Sequence, residues 1–578
     1  MWRTLGSRSG AVLRSSAPTP GSAVVVRRYG LGRRQSSQCY FHSKSRDNSE
    51  ALATAAKLPE AEPVPPVTPR QRLTINDILE RRAKAGRLVA PTAAACDADM
   101  FKAPSTGKPN AKRWDHNHLS AEAISREPCK LKAAARYLKT PGIISLGGGL
   151  PCPEYFPFSS LSMEVPISPN FSESSPTETI TINKYDASLG NADSEYDLSI
   201  GLNYAQAHGS AQVMRFVTEH TEIVHSPPYA DWKTCLTVGS TGALEQTLRM
   251  LCEKDRGDSL LTEEFSFSTA LETAGPLGVK VVGIKMDAEG LLPSSMDEML
   301  TNWNPAERGG KRKPHVLYTV PSGQNPTGAT QSERRRREVY AVAQKHDVFV
   351  VEDEPYYFLQ MQDRNKPEPR DADEFLDGLV PSLLSMDVDG RVLRMDSFSK
   401  CVVPGSRLGW ITASAQVVER FIRHAEVANQ GPSGFSQLIL HKLLDERWGH
   451  EGYLKWLMNL RMEYTQRRDT LLAACEKHLP KEVVSWSSPK AGMFFWVNLN
   501  HKLHPNASTK SILDVEEEIF NSCIKKGVLV ARGSWFRAEQ DKAPTGLFFR
   551  ATFAAATPAN MTEAIRRFGE AIRESYGL

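Results

Sequence analysis

The chain has 578 residues, of which 40% are hydrophobic, 24% charged and 8% aromatic, with a formal net charge of +4. This composition is that of a globular protein with a large core, and no apolar run is long enough to predict a membrane-spanning helix. Residues 1–46 contain nine Lys or Arg and no Asp or Glu, so the remainder carries a net charge of −5. A nucleic-acid-binding body is disfavoured, because such domains concentrate positive charge at the binding surface.

The N-terminal part of the chain predicts a targeting segment followed by a linker. Residues 1–46 are basic and rich in Ser, which is typical of a mitochondrial transit peptide. A basic tail in a cytoplasmic protein, or a start codon placed too far upstream, would give the same pattern. Residues 47–127 are predicted to be a Pro-rich linker and an N-terminal arm, with five prolines in 59–69 and one short amphipathic helix over 74–84.

From about residue 140 the sequence predicts an α/β fold. Short apolar runs end in loops rich in Gly, Pro, Ser or Asn and alternate with helical patterns, which favours a mainly parallel sheet flanked by helices. Since ligands bind at the carboxyl ends of such strands, the loops that follow are expected to converge on one site. The predicted strands are 142–146, 235–238, 279–284, 316–320, 348–351 and 392–395.

The last part of the chain has a different pattern. An amphipathic helix is predicted over 453–477 and strands over 493–497, 528–530 and 547–549, which indicates a smaller α+β domain. We predict that 128–230 contains the N-terminal part of this small domain and a connecting segment, that 231–440 is the large domain, and that 441–578 completes the small domain.

The nine cysteines are scattered at positions 39, 96, 129, 152, 235, 252, 401, 475 and 523. Their number is odd and no C-x-x-C pair occurs. The pattern indicates neither a disulfide framework nor a metal site.

The loop after the strand at 392–395 places a lysine among phosphate-binding side chains. Ser397 and Ser399 precede Lys400, and Arg407 follows seven residues later across a Pro-Gly turn. A phosphate group requires hydroxyls and a guanidinium fork, and a lysine nucleophile requires a partly desolvated, cationic surrounding. We predict that Lys400 forms a Schiff base with pyridoxal 5′-phosphate (PLP), which makes 231–440 the PLP-binding domain.

Two further loops offer partners for the PLP ring. Asp353 ends a predicted strand, where its carboxylate could keep the pyridine nitrogen protonated. Tyr356, three residues later, and Asn325, in the loop 321–328, are candidate partners of the phenolic oxygen. Taken alone, an acidic strand end is more often a helix cap or a solvated turn, so these assignments depend on the set of loops.

A fourth loop follows the strand at 235–238 and opens a helical pattern that runs to residue 251. Small residues at a helix N-terminus let backbone N–H groups approach a phosphate, with the helix dipole behind them. The residues are Ser240, Thr241 and Gly242.

Six ordered motifs together resemble fold-type I PLP-dependent aminotransferases. Over about four-fifths of its length, from near residue 125, the chain resembles the fungal aromatic amino acid aminotransferases and their relatives, the kynurenine/2-aminoadipate aminotransferases. The motifs are SLGGGLPCPEYFPF (145–158), YTVPSGQNPTG (318–328), VEDEPYYFLQM (351–361), RMDSFSKCVVPGSRLGWIT (394–412), AGMFFWVN (491–498) and FFRATFA (548–554).

The resemblance implies roles for the candidate residues. Lys400 would move the proton between the substrate Cα and the cofactor, while Asp353 would pair with the ring nitrogen. Tyr356 and Asn325 would contact the phenolic oxygen. The phosphate would be held by Ser240, Thr241, Ser397, Ser399 and Arg407.

The remaining implied roles concern the substrate and the partner subunit. Arg550 would bind the substrate carboxylate, with Asn325 beside it, and Gly149 would lie over the substrate. Phe267 would stack on the cofactor ring, although many relatives have Tyr there, and Thr241 stands where some relatives carry an amide. Tyr204 would reach the phosphate of the neighbouring subunit, which implies a homodimer with shared active sites.

The predicted activity is transfer of the amino group of aromatic L-amino acids to 2-oxoglutarate by a ping-pong mechanism, with 2-aminoadipate or kynurenine as further donors. A PLP-dependent lyase remains open because it would use the same lysine. An aminotransferase-like transcriptional regulator is disfavoured, because residues 47–127 lack a compact basic domain. A catalytically dead scaffold is disfavoured because every expected chemical position holds a competent residue type.

Overall fold

The computed structural model describes residues 72–578 except 89, 116, 135, 136, 138, 139, 145, 188, 191–193 and 364. Arg70–Leu578 forms one compact unit. The predicted transit peptide (1–46) and the Pro-rich segment 59–69 lie outside the described residues. The division of the chain at residues 128, 231 and 441 stays a prediction.

The helices of the described part of the chain are α1 (Ile75–Ala85), α2 (Ala121–Ser125), α3 (Lys130–Ala133), α4 (Leu198–Gly201), α5 (Ala211–His225), α6 (Gly239–Leu251), α7 (Ser268–Ala274), α8 (Pro293–Thr301), α9 (Glu333–Lys345), α10 (Ala372–Asp377), α11 (Leu383–Met386), α12 (Ala415–Ala428), α13 (Gly434–His441), α14 (Gly449–His478), α15 (Ile512–Lys525) and α16 (Pro558–Tyr576). A π-helical turn, Lys442–Arg447, connects α13 with α14. In the same part of the chain, no helix is both long and apolar enough to cross a lipid bilayer.

The strands of the described residues are β1 (Ser160–Pro166), β2 (Thr177–Asn183), β3 (Trp232–Thr237), β4 (Ser259–Glu263), β5 (Lys280–Ile284), β6 (Met286–Asp287), β7 (Gly290–Leu291), β8 (Val316–Thr319), β9 (Phe349–Asp353), β10 (Val392–Ser397), β11 (Gly409–Ser414), β12 (Val484–Trp486), β13 (Phe494–Leu499), β14 (Ala531–Arg532) and β15 (Leu547–Thr552). They form a seven-stranded sheet, a four-stranded sheet and two hairpins.

The seven-stranded sheet confirms the predicted α/β architecture. Its order is β3-β11-β10-β9-β8-β4-β5, and β11 runs antiparallel to both of its neighbours while the other pairings are parallel. Alternate residues of β9 enter different apolar clusters, with Phe349 and Val351 on one face and Val350 on the other. Both faces are buried, which is why these strands have continuous apolar runs in the sequence.

The smaller α+β part lies toward the C-terminus. Its sheet has the order β12-β13-β15-β14, and all its pairings are antiparallel. The long helix α14 packs against α16, and α16 packs against α15. This architecture, with the larger mainly parallel sheet, is the one predicted for a fold-type I protein.

The predicted helix near residue 74 is confirmed as α1. Thr74 caps it, and the side chain of Asp77 accepts a hydrogen bond from the Thr74 backbone, which completes a capping box. Arg82 of α1 forms ion pairs with the buried carboxylates of Glu219 and Asp445 (2.6 Å to the latter), so the helix is attached to the body through charge.

Two strand predictions are wrong. Residues 142–146 have no described strand; Ile144 is 89% exposed and Leu146 is 95% exposed, so this apolar run belongs to the surface. Residues 528–530 precede β14, which pairs with β15 only at Ala531 and Arg532. An apolar run alone does not determine which hydrogen bonds its backbone makes.

Candidate active site

The candidate site lies at the carboxyl ends of β8, β9 and β10. Asp353 is the last residue of β9, and Lys400 follows the end of β10 by three residues. The loop with Asn325 follows β8, and the helix α6 begins directly after β3. The expectation that these loops leave the same edge of the sheet is confirmed by the parallel pairing of β8, β9 and β10.

Asp353 is held by one oxygen and is unpartnered at the other. The hydroxyl of Tyr318 donates to Asp353 Oδ2 at 2.8 Å, and Tyr318 is itself fully buried. Asp353 Oδ1 is also buried and makes no hydrogen bond of good geometry among the described residues, although the Ser240 hydroxyl lies near enough to lower the pKa of Asp353. Burial raises the pKa of Asp353 to about 6, while the Tyr318 hydroxyl lowers that pKa and the nearby Asp396 raises it. A buried acceptor without a donor is costly unless a ligand supplies one.

A cradle for an anion forms where α6 meets Arg407. Gly239, the first residue of α6, has φ +69°, and a Cβ at this position would lie 2.5 Å from Arg407 Nη2. Glycine therefore lets the guanidinium approach the helix N-terminus. The described residues provide no side-chain cap there, so the first N–H groups of α6 remain available to an anion.

Hydroxyl groups surround the same cradle. Ser397 Oγ donates to Ser399 Oγ at 2.9 Å, and Arg407 Nη1 donates to Ser399 Oγ at 3.3 Å. Ser240 Oγ is buried, makes no hydrogen bond of good geometry among the described residues, and lies near Asp353, whose pKa it lowers. Thr241 is exposed and Gly242 is partly exposed in the first turn of α6.

Lys400 is half-buried beside a second cation. Burial lowers the pKa of its amine, and the positive charge of Arg407 lowers it further. Within the described part of the chain, no acidic side chain forms an ion pair with Lys400. Both effects favour the neutral amine, the form that acts as a nucleophile or base.

Arg550, on β15, is half-buried without a carboxylate partner among the described residues. Its Nη1 donates to Asn325 Oδ1 at 2.8 Å, and its guanidinium carbon lies 4.5 Å from the ring centre of Phe494 and 4.6 Å from that of Phe536. Burial lowers the pKa of Arg550, and Tyr356 raises it. The fork of Arg550 is therefore available for a carboxylate in an aromatic surrounding.

Tyr356 lies between the charges of this site. Its side chain is buried and packs edge-on against Phe494, with ring centres 5.7 Å apart. Burial and the charge of Asp353 raise the pKa of Tyr356, and Arg550 lowers it. The phenol is therefore protonated at neutral pH and can donate a hydrogen bond.

The two sheets meet at a backbone contact beside Asn325. Gly323 has φ +58°, and a Cβ there would lie 2.5 Å from the backbone of Gly492. Gly492 N also donates to Leu359 O at 3.0 Å. This contact brings the Asn325 loop next to the sheet that contains Arg550.

The remaining predicted residues, Phe267, Gly149 and Tyr204, do not all lie in the same place. Phe267 precedes α7 and packs, partly buried, against the core. Gly149 and Tyr204 line a separate cavity of about 550 Å³, where Tyr204 is 55% exposed. No described hydrogen bond joins these two residues to the rest of the site within one copy of the chain.

Three residues were missed by the sequence reasoning. Tyr318 holds Asp353, while Phe494 and Phe536 enclose Arg550. Tyr318 and Phe494 lie inside motifs that were already singled out, but a buried aromatic residue in a strand looks like ordinary core. The alternation of side chains along a strand could have identified Tyr318, because Tyr318 and Asp353 lie on the same face of adjacent strands.

A family model described as aminotransferase class I and II matches residues 202–568. The match spans more than half of the chain and includes Asp353, Lys400 and Arg550. The chain belongs to the class I and II aminotransferase family.

Known proteins similar to this aminotransferase agree with that assignment. An aromatic amino acid aminotransferase of Schizosaccharomyces pombe is 44% identical over 473 residues, which cover 80% of this chain and 98% of the relative. The mitochondrial kynurenine/alpha-aminoadipate aminotransferase of Bos taurus is 33% identical over 468 residues, covering 79% and 98%. The crystal structure of aminotransferase Aro8 from Candida albicans is 41% identical, with a TM-score of 0.76 over 82% of this chain and all of that one.

Membership of the family implies PLP as the cofactor, and the residues of this aminotransferase fit it. The unpartnered Asp353 Oδ1 suits the protonated ring nitrogen. The Gly239 cradle with Arg407 and the serine hydroxyls suits the phosphate. The half-buried amine of Lys400 suits the aldehyde carbon.

Proposed function

We propose that the protein is a PLP-dependent aminotransferase that transfers the amino group of aromatic L-amino acids to 2-oxoglutarate. The observation that carries this proposal is that Asp353, Lys400 and Arg550 have no ion-pair partner among the described residues. Buried and half-buried charges are normally paired, so unpaired ones at one site point to groups supplied by ligands. A protonated ring nitrogen would pair with Asp353, an aldehyde would react with Lys400, and a carboxylate would pair with Arg550.

The cofactor would be held at both ends by this chain. The carboxylate of Asp353 would accept a hydrogen bond from the protonated ring nitrogen. Tyr356 and Asn325 would contact the phenolic oxygen. Ser240, Thr241, Ser397, Ser399 and Arg407, with the N–H groups of α6, would bind the phosphate. When bound, PLP supplies a carbonyl group that accepts the amino group and a protonated ring that withdraws electrons from the substrate Cα.

Lys400 would serve as the base of the reaction. Its lowered pKa increases the fraction of neutral amine, which would carry the proton between the substrate Cα and the carbon of the cofactor that bears the amino group. The charge of Arg407 favours the neutral amine. Phe267 would restrict the position of the cofactor ring from one side by stacking.

The substrate would be oriented through its α-carboxylate. Arg550 offers a bidentate fork, and Asn325, already bonded to it, limits how far the fork can turn. Phe494 and Phe536 provide apolar surface for an aromatic side chain. Since 2-oxoglutarate must use the same site, the pocket accepts an acidic side chain too, and 2-aminoadipate or kynurenine would then also serve as donors.

The test is a half-reaction in one cuvette. The purified, PLP-loaded protein is mixed with L-phenylalanine while the visible absorbance of the cofactor and the formation of phenylpyruvate are recorded. We expect the yellow absorbance to disappear as one equivalent of phenylpyruvate forms, and 2-oxoglutarate to restore it with release of glutamate. Release of ammonia or carbon dioxide instead would replace the aminotransferase with a lyase. An absorbance that does not change when L-phenylalanine is added would reject the proposal that aromatic amino acids are donors.

We further propose a homodimer in which Tyr204 of each copy reaches the phosphate site of the other. Support comes from an exposed apolar surface around the separate cavity, where Ile143, Ile144, Leu146 and Leu150 are 42–95% exposed. Light scattering should give twice the chain mass. Mixing inactive Lys400→Ala protein with Tyr204→Phe protein should form hybrid dimers in which one intact site recovers activity, and failure to do so would reject the shared site.

The predicted mitochondrial location remains a proposal. It is supported by the basic composition of residues 1–46. Fusion of residues 1–46 to a fluorescent protein should direct it to mitochondria, and cytoplasmic fluorescence would favour the alternative location.

A further inference from the structure

A cavity of about 860 Å³ lies apart from the candidate active site. Its walls come from the segment after β9, the middle of α14 and the turn before β13, and it shares no lining residue with the site described above. Small-molecule sites commonly enclose roughly 300–1,000 Å³. The cavity is therefore large enough for a metabolite.

Two arginines line this cavity, Arg461 and Arg468, and Arg468 is already paired with Asp469. Arg461 of α14 is 8% exposed, and its Nε is buried without a hydrogen-bond partner among the described residues. No described carboxylate forms an ion pair with it, and its nearest aromatic contact is Phe375, with the guanidinium carbon 5.7 Å from the ring centre. Burial lowers the pKa of Arg461, with no acidic neighbour to offset it.

Carboxylates do line the cavity, but they lie at its rim or are already paired. Glu374 is bonded by Arg370, with Nε 2.7 Å from Oε1, and Asp469 is bonded by Arg468 at 2.8 Å. Asp363 and Glu368 are exposed, as are the lysines at the rim, Lys366 and Lys490. The buried interior therefore keeps a positive charge that the rim does not neutralise.

Neutral polar side chains line the rest of this wall, among them Thr330, Gln360 and Gln362. The guanidinium of Arg461 is a donor only, so a ligand that pairs it needs an anionic group.

We propose that this cavity is a second binding site, separate from the active site, for a small organic acid. The guanidinium of Arg461 binds the anionic group of this acid. An unpaired buried charge is costly to a fold, so a ligand that pairs Arg461 stabilises the protein when it binds.

The test measures binding to the PLP-loaded full-length protein by isothermal titration calorimetry, with citrate and inorganic phosphate as probes. We expect citrate to bind and Arg461→Gln to weaken it by roughly tenfold or more, because a charge-assisted bidentate contact is lost. Phosphate binding with the same dependence on Arg461 would assign the anionic group to a phosphate source, whereas citrate binding alone would assign it to a carboxylate.

Two control variants separate this site from other anion sites. Arg467→Gln removes the same charge from α14, but Arg467 does not line the cavity and donates to Phe553 O at 2.7 Å. Arg550→Gln disables the candidate substrate site. Citrate affinity unchanged in both controls supports the proposal. Citrate affinity that is lost in Arg550→Gln, unaffected by Arg461→Gln, or absent in the wild type overturns it.

A measurement on the unmodified protein covers the case in which Arg461→Gln does not fold. Hydrogen–deuterium exchange is compared with and without citrate. We expect slower exchange in the peptides over 360–369, 461–469 and 488–490, which enclose the cavity. Protection confined to other peptides would place citrate elsewhere and reject the site.

Discussion

Two sets of charged side chains leave opposite faces of the same strands, and they differ in how their charges are paired. On one face of β9 and β10, Glu352 accepts from the backbone N–H of Leu383 at 2.8 Å, and Arg394 lies 3.3 Å from Glu352 and 2.8 Å from Asp396. On the other face, Asp353 has Tyr318 as its described partner. One residue step along β9 separates a closed ionic network from an open site.

The difference separates buried charges that are paired within the protein from charges that are available to a ligand. In the closed network, partners within the protein offset the cost of burying each ion, so the network can persist without ligands. At the open site that cost is only partly offset, because Asp353 and Lys400 have no ion-pair partner among the described residues. Variants on the two faces should therefore have opposite consequences for activity and for stability.

The largest effect on activity is expected from Lys400→Ala. Loss of the amine would remove both the proposed cofactor linkage and the proposed base, so the turnover number should fall by at least about 10³-fold. The circular dichroism spectrum and the mass by light scattering should match the wild type, because Lys400 takes part in no described ion pair. Full activity in this variant would refute the assignment of the site.

Asp353→Asn should lower activity by about 10²-fold or more while leaving the protein at least as stable as the wild type. It removes an unpaired buried charge and keeps a polar group beside Tyr318. Activity and the melting temperature of the cofactor-free protein are the measurements.

Glu352→Gln is the matched control, one residue away on the closed face. It should lower the free energy of unfolding by about 2–3 kcal/mol, because it weakens buried charged contacts, and should leave the kinetic constants of the surviving folded protein close to the wild type. If both variants lost activity and stability alike, the distinction between the two faces would fail.

Arg550→Gln should raise the KM for the amino acid by roughly 10- to 100-fold, because a charged contact with the α-carboxylate is lost. The control is Arg532→Gln on β14 of the same sheet. Arg532 Nε lies 2.9 Å from Glu516, so its loss should lower stability and leave KM unchanged. An unchanged KM in Arg550→Gln would count against its role as the carboxylate ligand.

The smallest effect is expected from Tyr318→Phe, and it should appear in the pH dependence. Below about pH 6 Asp353 becomes protonated in the cofactor-free protein, so PLP affinity should fall as the pH drops through this value. The Tyr318 hydroxyl favours the carboxylate, so its removal raises the pKa of Asp353 and should move the midpoint upward by a few tenths to one pH unit. Titration of PLP affinity against pH gives the midpoint, and one that does not move would show that Tyr318 does not tune Asp353.

The part of the candidate site that could be predicted from the sequence is the part that lies at the ends of strands. Apolar runs mark β8, β9 and β10, and parallel strands bring Asp353 and Lys400 to one edge. The partners of the site residues could not be predicted. Tyr318 contacts Asp353 and Phe494 contacts Arg550, each more than 30 positions away, and an isolated aromatic residue in a strand gives no sign of which neighbour it will meet.

The fold was predictable where local pattern and burial agree. The capping box at Thr74 and Asp77 is a local rule, and α1 followed it. Residues 142–146 failed because their apolar side chains face outward, where the predicted partner subunit would cover them. The hairpin of β1 and β2 was not predicted, because few of its side chains are buried and its sequence lacks an apolar run.

The contact between Gly323 and Gly492 also limits how this enzyme can change under selection. Each residue occupies the space that a methyl group on the other would need, and both have positive φ. Any substitution at either position would wedge the two sheets apart and shift Arg550 away from the Asn325 loop. A saturation library should therefore return only glycine at these two positions, and new substrate preferences should arise from the rings around Arg550, since the angle between the sheets cannot adjust.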